Sequence, residues 1–186
     1  IKATSVLYYN SAYIDIVLSI AMLAFGVNFY VYYLILIRQV KKAFKNEELR
    51  WYLAIVCIAV ILICLNLSSQ YDNVPRMIRD AFFAVSSIIT TTGFSTVDFG
   101  SWPLLSHVIL LLLMFFGACA GSTGGGLKIS RVAVLVKTAI AGIRGSKEPR
   151  QIVPVRFEGQ SLDEENTRSI GRYFIIYASV FVSLVL

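Results

Sequence analysis

Charged side chains are scarce in this sequence. Asp, Glu, Lys and Arg make up 15% of its 186 residues, where an ordinary soluble domain carries about a quarter. That composition excludes a disordered chain, a coiled coil, a collagen and a typical soluble enzyme. Histidine occurs once, at His107 near the end of an apolar run; a packed or interfacial ring explains it better than a metal ligand. No Ser/His/Asp set, metal-ligand cluster or pair of carboxylates within an apolar run is visible, so nothing supports an enzyme. Cysteine occurs three times, at Cys57, Cys64 and Cys119, never as a CxxC pair. All three read as small, buried, reduced apolar residues. No cleavable signal peptide is visible. The opening on Ile1 is expected of a piece of a longer protein.

What is abundant is apolar. Hydrophobic residues make up 57% and the mean hydropathy is +0.72, which places the chain among integral membrane proteins. The first long run, Tyr13 to Ile37, contains only one charge, Asp15, and is long enough to span. Asp15 lies near its edge and is expected to be hydrated. The polar stretch RQVKKAFKNEELR follows, and then a second span from Trp51 to Ser69. Trp51 and Tyr52 stand where an interfacial aromatic belt would place them. Inside this span Asn66 is expected to hydrogen-bond to a neighbouring helix.

The third stretch is too short to cross. Asn73 and Pro75 suit a helix start, and Pro75 to Ile89 would extend about 22 Å at 1.5 Å per residue. It runs into Thr90, Thr91, Thr92, Gly93 and Phe94, a pattern that reads as a re-entrant hairpin. The fourth stretch, Pro103 to Ile143, is about twice a span and is interrupted by GACAGSTGGG at 117–126. Two half-helices flanking a glycine-rich break are therefore expected. A polar connection from Arg144 to Thr167 contains Pro149 and Pro154. Ser161 and Glu164 fit a capping box for a last helix. That helix becomes apolar at Tyr173 and is still apolar at Leu186, as in a chain that continues.

The net charge is +6, from 17 Lys and Arg against 11 Asp and Glu. Of the 17 basic residues, 14 lie in 38–50 and 128–172. They lack the aromatic interleaving of a nucleic-acid surface and flank spans, so they read as topology signals. The positive-inside rule puts 38–50 and 144–172 in the cytoplasm and 70–104 outside.

The Thr/Gly loop can do chemistry. A short helix aimed inward presents its C-terminal carbonyls to the membrane centre, and a cation stripped of water there needs oxygen ligands. Backbone carbonyls of Thr90, Thr91, Thr92 and Gly93 can supply them, with Gly93 free to adopt positive φ. The threonine hydroxyls either ligand the ion or brace the loop. Asp72, Asp80 and Asp98 bias the outer mouth negatively, offset in part by Arg76 and Arg79. On spacing alone an ordinary surface turn explains the segment equally well. For the glycine-rich break, a phosphate loop fits poorly: Gly121 and Gly126 have the spacing, but Leu127 stands where Lys belongs. A cytoplasmic turn and a mobile intramembrane loop both remain.

The residues AFFAVSSIITTTGFSTVDF (81–99) and GACAGSTGGGLKISR (117–131) resemble the Trk/Ktr/HKT potassium transporters, and the whole chain fits that pattern. The resemblance implies an all-α integral membrane fold of span–pore helix–span repeats, with a re-entrant filter loop and a broken inner helix. Residues 1–50 would be the end of a second repeat, with AMLAFGVNFYVYY (21–33) in its inner helix. Residues 51–142 would be a complete third repeat, and 143–186 a cytoplasmic linker and the start of a fourth. Thr90, Thr91, Thr92 and Gly93 would form one filter loop with a single glycine. Gly117, Gly121, Ser122, Thr123, Gly124, Gly125 and Gly126 would belong to a gate loop beneath it. K⁺ would be the transported ion, held by filter carbonyls only, with no cofactor in this chain. The partners implied are a second copy in a homodimer, membrane lipid and a cytoplasmic nucleotide-binding regulatory ring (TrkA-like); nucleic acid is not among them. The location implied is the inner, cytoplasmic membrane, crossed several times. A Na⁺-coupled symporter of the same fold and a non-conducting membrane subunit are the alternatives.

Overall fold

The computed structural model describes residues 5–147 and 156–185. A short 3₁₀ segment, Ser5–Tyr9, leads into α1 (Ala12–Phe25), α2 (Phe29–Leu36), α3 (Val40–Lys45), α4 (Glu47–Leu67), α5 (Val74–Ile89), α6 (Leu104–Phe116), α7 (Ile129–Lys147) and α8 (Glu164–Val185). Between α7 and α8 lies a small antiparallel ribbon, β1 (Arg156–Phe157) with β2 (Gln160–Ser161). Pro149 and Pro154 lie outside the described residues.

α4 is long and apolar enough to cross a membrane. Its 21 residues extend about 31 Å at 1.5 Å per residue. It begins at Glu47, earlier than the apolar run, because the Asn46 side chain accepts the Leu49 N–H at 2.8 Å and caps the first turn. α5 begins as expected, with Asn73 accepting from the Arg76 N–H and Pro75 in the first turn. Its 16 residues extend only about 24 Å. α5 packs against α1, α4 and α6, and Phe83, Ala84, Val85 and Ile89 are fully buried.

The first apolar run is not one straight span. It breaks between α1 and α2, which meet at 91°. Gly26 caps α1 by donating its N–H to the Met22 and Leu23 carbonyls. Asn28 caps α2, accepting from the Tyr30 N–H at 2.9 Å. The break occurs at Gly26 because another element approaches closely there. A Cβ on Gly26 would lie 2.5 Å from the Tyr52 hydroxyl and 2.9 Å from the Thr90 Cγ2. Tyr52 is accordingly fully buried rather than in an interfacial belt, and its hydroxyl donates to the Leu23 carbonyl at 3.2 Å. The helical period explains this: Tyr52 shares the buried face of α4 with Val56, Ala59 and Ile63. Cys57 lies on the opposite face and is exposed, contrary to expectation, while Cys119 is buried; all three cysteines are free.

Asn66 does bridge to a neighbour, donating to the Ser106 hydroxyl of α6 at 2.9 Å. α8 lies beside the α6–α7 junction. The Phe115 ring meets those of Phe174, Tyr177 and Phe181 at 5.8, 5.1 and 5.3 Å, and the Arg131 guanidinium sits 4.4 Å above Tyr173. The capping box does not form. Ser161 is taken up in the ribbon opposite Arg156, and α8 starts two residues later, after Asp163, whose carbonyl accepts from the Thr167 N–H. The ribbon wins because Glu158 (φ +53°) and Gly159 (φ +81°) make the tight two-residue turn that suits a twisted hairpin.

Gly26→Ala is expected to lower the stability of the full-length protein by about 1–3 kcal/mol, the cost of overpacking a filled site. Combined with Tyr52→Phe, which removes the nearest clashing atom, it is expected to regain part of that loss. Thermal unfolding of the detergent-solubilised single and double variants measures both.

Candidate functional site

Three interruptions of helix lie together: the α1–α2 break at 26–28, the Thr/Gly loop after α5, and the glycine-rich loop between α6 and α7. Each supplies partners to another.

The α5 end closes on itself. The Thr91 N–H donates to Ile88 O at 3.0 Å and the Thr92 N–H to Ser87 O at 2.9 Å, the paired bonds that end a helix when the next residue is left-handed. That residue is Thr91, with φ +57°, an uncommon conformation for a β-branched side chain. Gly93 also has positive φ, +78°, as expected. The threonine hydroxyls brace the loop. Thr90 Oγ1 donates to Ser86 O at 2.6 Å and so accepts from Thr92 Oγ1 at 2.8 Å, and Thr91 Oγ1 donates to Thr90 O at 2.7 Å. Ser87 draws the loop back by donating to Phe94 O at 2.7 Å. Thr91, Thr92 and Gly93 are exposed, and their carbonyls accept no hydrogen bond among the described residues. A hollow of about 540 Å³ opens beside Gly93, lined also by Ser5, Leu7, Ser95 and Asp98.

The glycine-rich segment is an excursion with a closed neck. The N–H groups of Leu127, Lys128 and Ile129 donate to the carbonyls of Phe115, Phe116 and Ala118, so α7 resumes where α6 stopped. Gly117 and Gly126 touch backbone to backbone at the neck. A Cβ on Gly117 would lie 2.1 Å from Gly125 O, and one on Gly126 would lie 2.6 Å from Gly117 Cα. From the neck the loop reaches both other breaks. The Cys119 N–H donates to Gly26 O at 3.1 Å, the Phe29 N–H to Gly121 O at 3.1 Å, and the Thr123 N–H to Phe25 O at 3.3 Å. The Ser122 hydroxyl donates to Cys119 O. On the other side, the Gly125 N–H donates to Thr91 Oγ1 at 2.8 Å. Gly124 sits where a Cβ would approach Ala118 at 2.7 Å and Thr90 O at 3.3 Å, and its own carbonyl accepts from the Lys128 ammonium.

Glu48 holds this arrangement from below. It is buried, and its carboxylate accepts from the Ala120 N–H at 2.6 Å and from Asn28 Nδ2 at 3.2 Å. Glu48 lies in the polar stretch RQVKKAFKNEELR, whose composition does not single it out. The signal that separates it is the period: Glu48 is one turn before Tyr52 and two before Val56 on the buried face of α4. Thr91 as a left-handed residue carries no such signal.

Two acidic residues, Asp15 of α1 and Asp80 of α5, are buried where exposure was expected. Asp15 is not hydrated; it is buried, with Arg79 Nε at 3.4 Å. Asp80 does not face the mouth. It is buried between Arg79 and Arg76, at 3.6 and 3.8 Å, and accepts from the Tyr71 hydroxyl at 3.3 Å. Burial first, and then the nearby Asp80 carboxylate, push the Tyr71 phenol above its ordinary range. Asp72 and Asp98 stay exposed, and of these Asp98 lines the hollow beside Gly93. His107 is half-buried on α6. Among the described residues no group of three or more His, Cys, Asp or Glu side chains is placed to hold a metal ion.

A family model described as TrkH, cation transport protein, matches residues 1–186. The Trk system potassium uptake protein TrkH of Escherichia coli K12 is 32% identical over 181 residues, covering 96% of this chain and 38% of that protein. TrkG of the same strain is 33% identical over 187 residues, covering 98% and 38%. The crystal structure of the potassium transporter TrkH from Vibrio parahaemolyticus matches with a TM-score of 0.91 at 29% identity, over 97% of this chain and 40% of that one. The mostly helical integral-membrane fold is therefore shared, and the chain spans well under half the length of these relatives.

Removing the Glu48 carboxylate leaves the Ala120 N–H and the Asn28 amide without their acceptor. Glu48→Ala is expected to cost about 3 kcal/mol of stability in the full-length protein, as two hydrogen bonds to a charged group are lost. Glu48→Gln, which keeps one acceptor oxygen, is expected to cost less than half as much. Thermal unfolding of the two purified variants compares them.

Proposed function

Because the chain belongs to the TrkH family of cation transport proteins, we propose that the protein of which it is part takes up K⁺ across the cytoplasmic membrane through a channel-like pore. Residues 51–142 form one complete span–pore helix–span repeat of that pore. Residues 1–50 end the repeat before it, and 143–186 link to and begin the next. α5 enters and its loop returns on the outer side. The backbone oxygens at Thr90–Gly93 supply one loop of the filter, and residues 117–126 form the gate beneath. The partners proposed are a second copy of the whole protein and a cytoplasmic nucleotide-binding ring. The ring meets the face made by 38–50 and 144–167. Within the described part of that face, Asn46 Nδ2 donates to Glu158 Oε1 at 2.6 Å and the Glu158 N–H to Glu47 at 3.1 Å.

The observation that carries this reading is the bond from the Gly125 N–H to Thr91 Oγ1. It ties the glycine-rich loop to the same residue whose hydroxyl holds the Thr90 carbonyl. A simple turn between two helices has no reason to reach the end of a third. Among the described residues the carbonyls of Thr91, Thr92 and Gly93 have no donor, and all three residues are exposed. A dehydrated cation takes such oxygens as ligands, and the negative end of the α5 dipole favours it there. Asp98, at the hollow beside Gly93, raises the local cation concentration. The bonds the gate exchanges as it moves are those to Thr91, Phe25, Gly26, Phe29 and Glu48. Its glycines adopt the required φ without strain.

Two substitutions in the full-length protein test the two roles by K⁺ and Na⁺ flux in proteoliposomes, normalised to folded protein. Gly93→Ser places a side chain on a left-handed residue and projects it into the open side of the loop, where, its two chain neighbours aside, no atom of the described residues lies within 4 Å of the added Cβ. The expected result is loss of the preference for K⁺ over Na⁺ with folding kept; unchanged selectivity removes Gly93 from the filter. Thr91→Val keeps the shape and removes the oxygen that holds Gly125. One hydrogen bond of about 1 kcal/mol predicts a roughly fivefold shift from the closed toward the open state, read as higher flux, with Thr91→Ser at the wild-type value. Equal flux from Val and Ser variants sinks the gate assignment. Growth of a strain lacking its own K⁺ uptake, rescued by the full-length protein, tests the ion itself.

A further inference from the structure

A cavity of about 1020 Å³ lies away from the three breaks, between α2, α3, the first turns of α4 and the turn of the ribbon. That is the size of a ligand site. Three exposed cations line it, Lys42 and Lys45 from α3 and Arg50 from α4, and none has an ion pair among the described residues. The two carboxylates in the groove are engaged. Glu47 pairs with Lys137 and accepts the Glu158 N–H, and Glu158 accepts from Asn46. The balance of available charge is therefore positive. Trp51, half-buried, forms part of the wall, at the end of a helix long enough to cross a membrane.

The groove does not end in water. Leu53 and Ala54 form its apolar side, and from Ala54 the exposed side chains Ile58, Ile61 and Leu65 continue along α4. Their spacing of three and four residues makes one stripe on the helix surface. A soluble phosphate would meet the cations and leave this stripe bare. A molecule with a phosphate at one end and a hydrocarbon chain at the other meets both. Lys and Arg beside an interfacial Trp provide the charge and depth that such a molecule needs.

We propose that this groove binds an anionic phospholipid, its headgroup phosphate held by Lys42, Lys45 and Arg50 and an acyl chain laid along the α4 stripe. The site rests on membrane insertion of α4 with its first turn at the interface, and it takes Lys42, Lys45 and Arg50 for lipid at the membrane edge of 38–50, leaving the rest of that face to the ring. It does not rest on the ion path, so a protein that moves no K⁺ still binds lipid here.

The test uses full-length protein in nanodiscs of phosphatidylcholine containing a minor fraction of photoactivatable phosphatidylglycerol. The wild type is expected to be labelled within residues 42–65 and to retain phosphatidylglycerol over phosphatidylcholine in native mass spectrometry. Each charge removed is expected to lower that retention about fivefold, so Lys42→Gln, Lys45→Gln and Arg50→Gln together lower it about a hundredfold, while Lys42→Arg with Lys45→Arg keeps it. Absence of label in the wild type, or equal preference for the two lipids, overturns the proposal without reference to any variant. So does displacement of the label by inorganic phosphate, which would make the groove a site for a soluble anion. Protection of Lys42 and Lys45 from amine-reactive reagent by the purified regulatory ring, but not by phosphatidylglycerol, would assign the surface to the ring and also overturn it.

Discussion

Backbone that leaves a helix inside an apolar environment must find its hydrogen-bond partners within the protein, because neither lipid nor side-chain core supplies them. This chain meets that constraint by bringing its interruptions to one place. The carbonyls released at the end of α1, on Phe25 and Gly26, accept from Thr123 and Cys119. The Gly121 carbonyl in turn accepts from Phe29 at the start of α2, and Gly125 donates to Thr91. No break is satisfied alone. The packing around them follows: Gly26 is small because Tyr52 and Thr90 press against it, and Gly117 is small because the loop must close on its own neck.

Charge is used under the same constraint. Glu48 is a buried carboxylate with N–H partners rather than a cation, and its two oxygens join the loop between α6 and α7 to the cap of α2. Asp15, Arg79 and Asp80 form the opposite kind of site, a buried cluster of mixed sign between α1 and α5. Buried carboxylates without such partners would be costly to keep ionised. Each cluster therefore fixes one end of α5's surroundings, Asp80 near its start and Glu48 against the loop that meets its end.

The proposed transport role draws on the weakness of these contacts as much as on their number. A hydrogen bond between loops contributes on the order of 1 kcal/mol net, so a loop held by a handful of them can be displaced by a modest bias from elsewhere in a larger assembly. The neck is different, since Gly117 and Gly126 meet through backbone atoms and the bonds from Leu127, Lys128 and Ile129 keep α7 in line with α6. The proposed gate movement would therefore fall on the tip, the part that touches Thr91.

Much of this was legible in the sequence. The scarcity of charge placed the chain in a membrane. The length of Pro75–Ile89 and its Asn–Pro start showed a helix too short to cross, and the run of glycines at 117–126 showed a broken one. These readings hold because each depends on local chemistry: hydropathy, a cap, or backbone freedom. What only the tertiary structure decided was which neighbours meet. The α1–α2 break lies in a run as apolar as any span, and its single glycine is unremarkable until Tyr52 is placed against it. Tyr52 and Asp15 have the composition of interfacial residues; Tyr52 is buried against the end of α1 at Leu23 and Gly26, and Asp15 against Arg79 of α5. Ser161 and Glu164 carry a valid capping pattern that lost to a hairpin with a two-residue turn at Glu158 and Gly159. Thr91 takes a left-handed conformation that its side chain disfavours, because two partners, one of them thirty-four residues away in sequence, hold its hydroxyl. Local pattern determined where the helices stop; packing across distant segments determined what each stop is for.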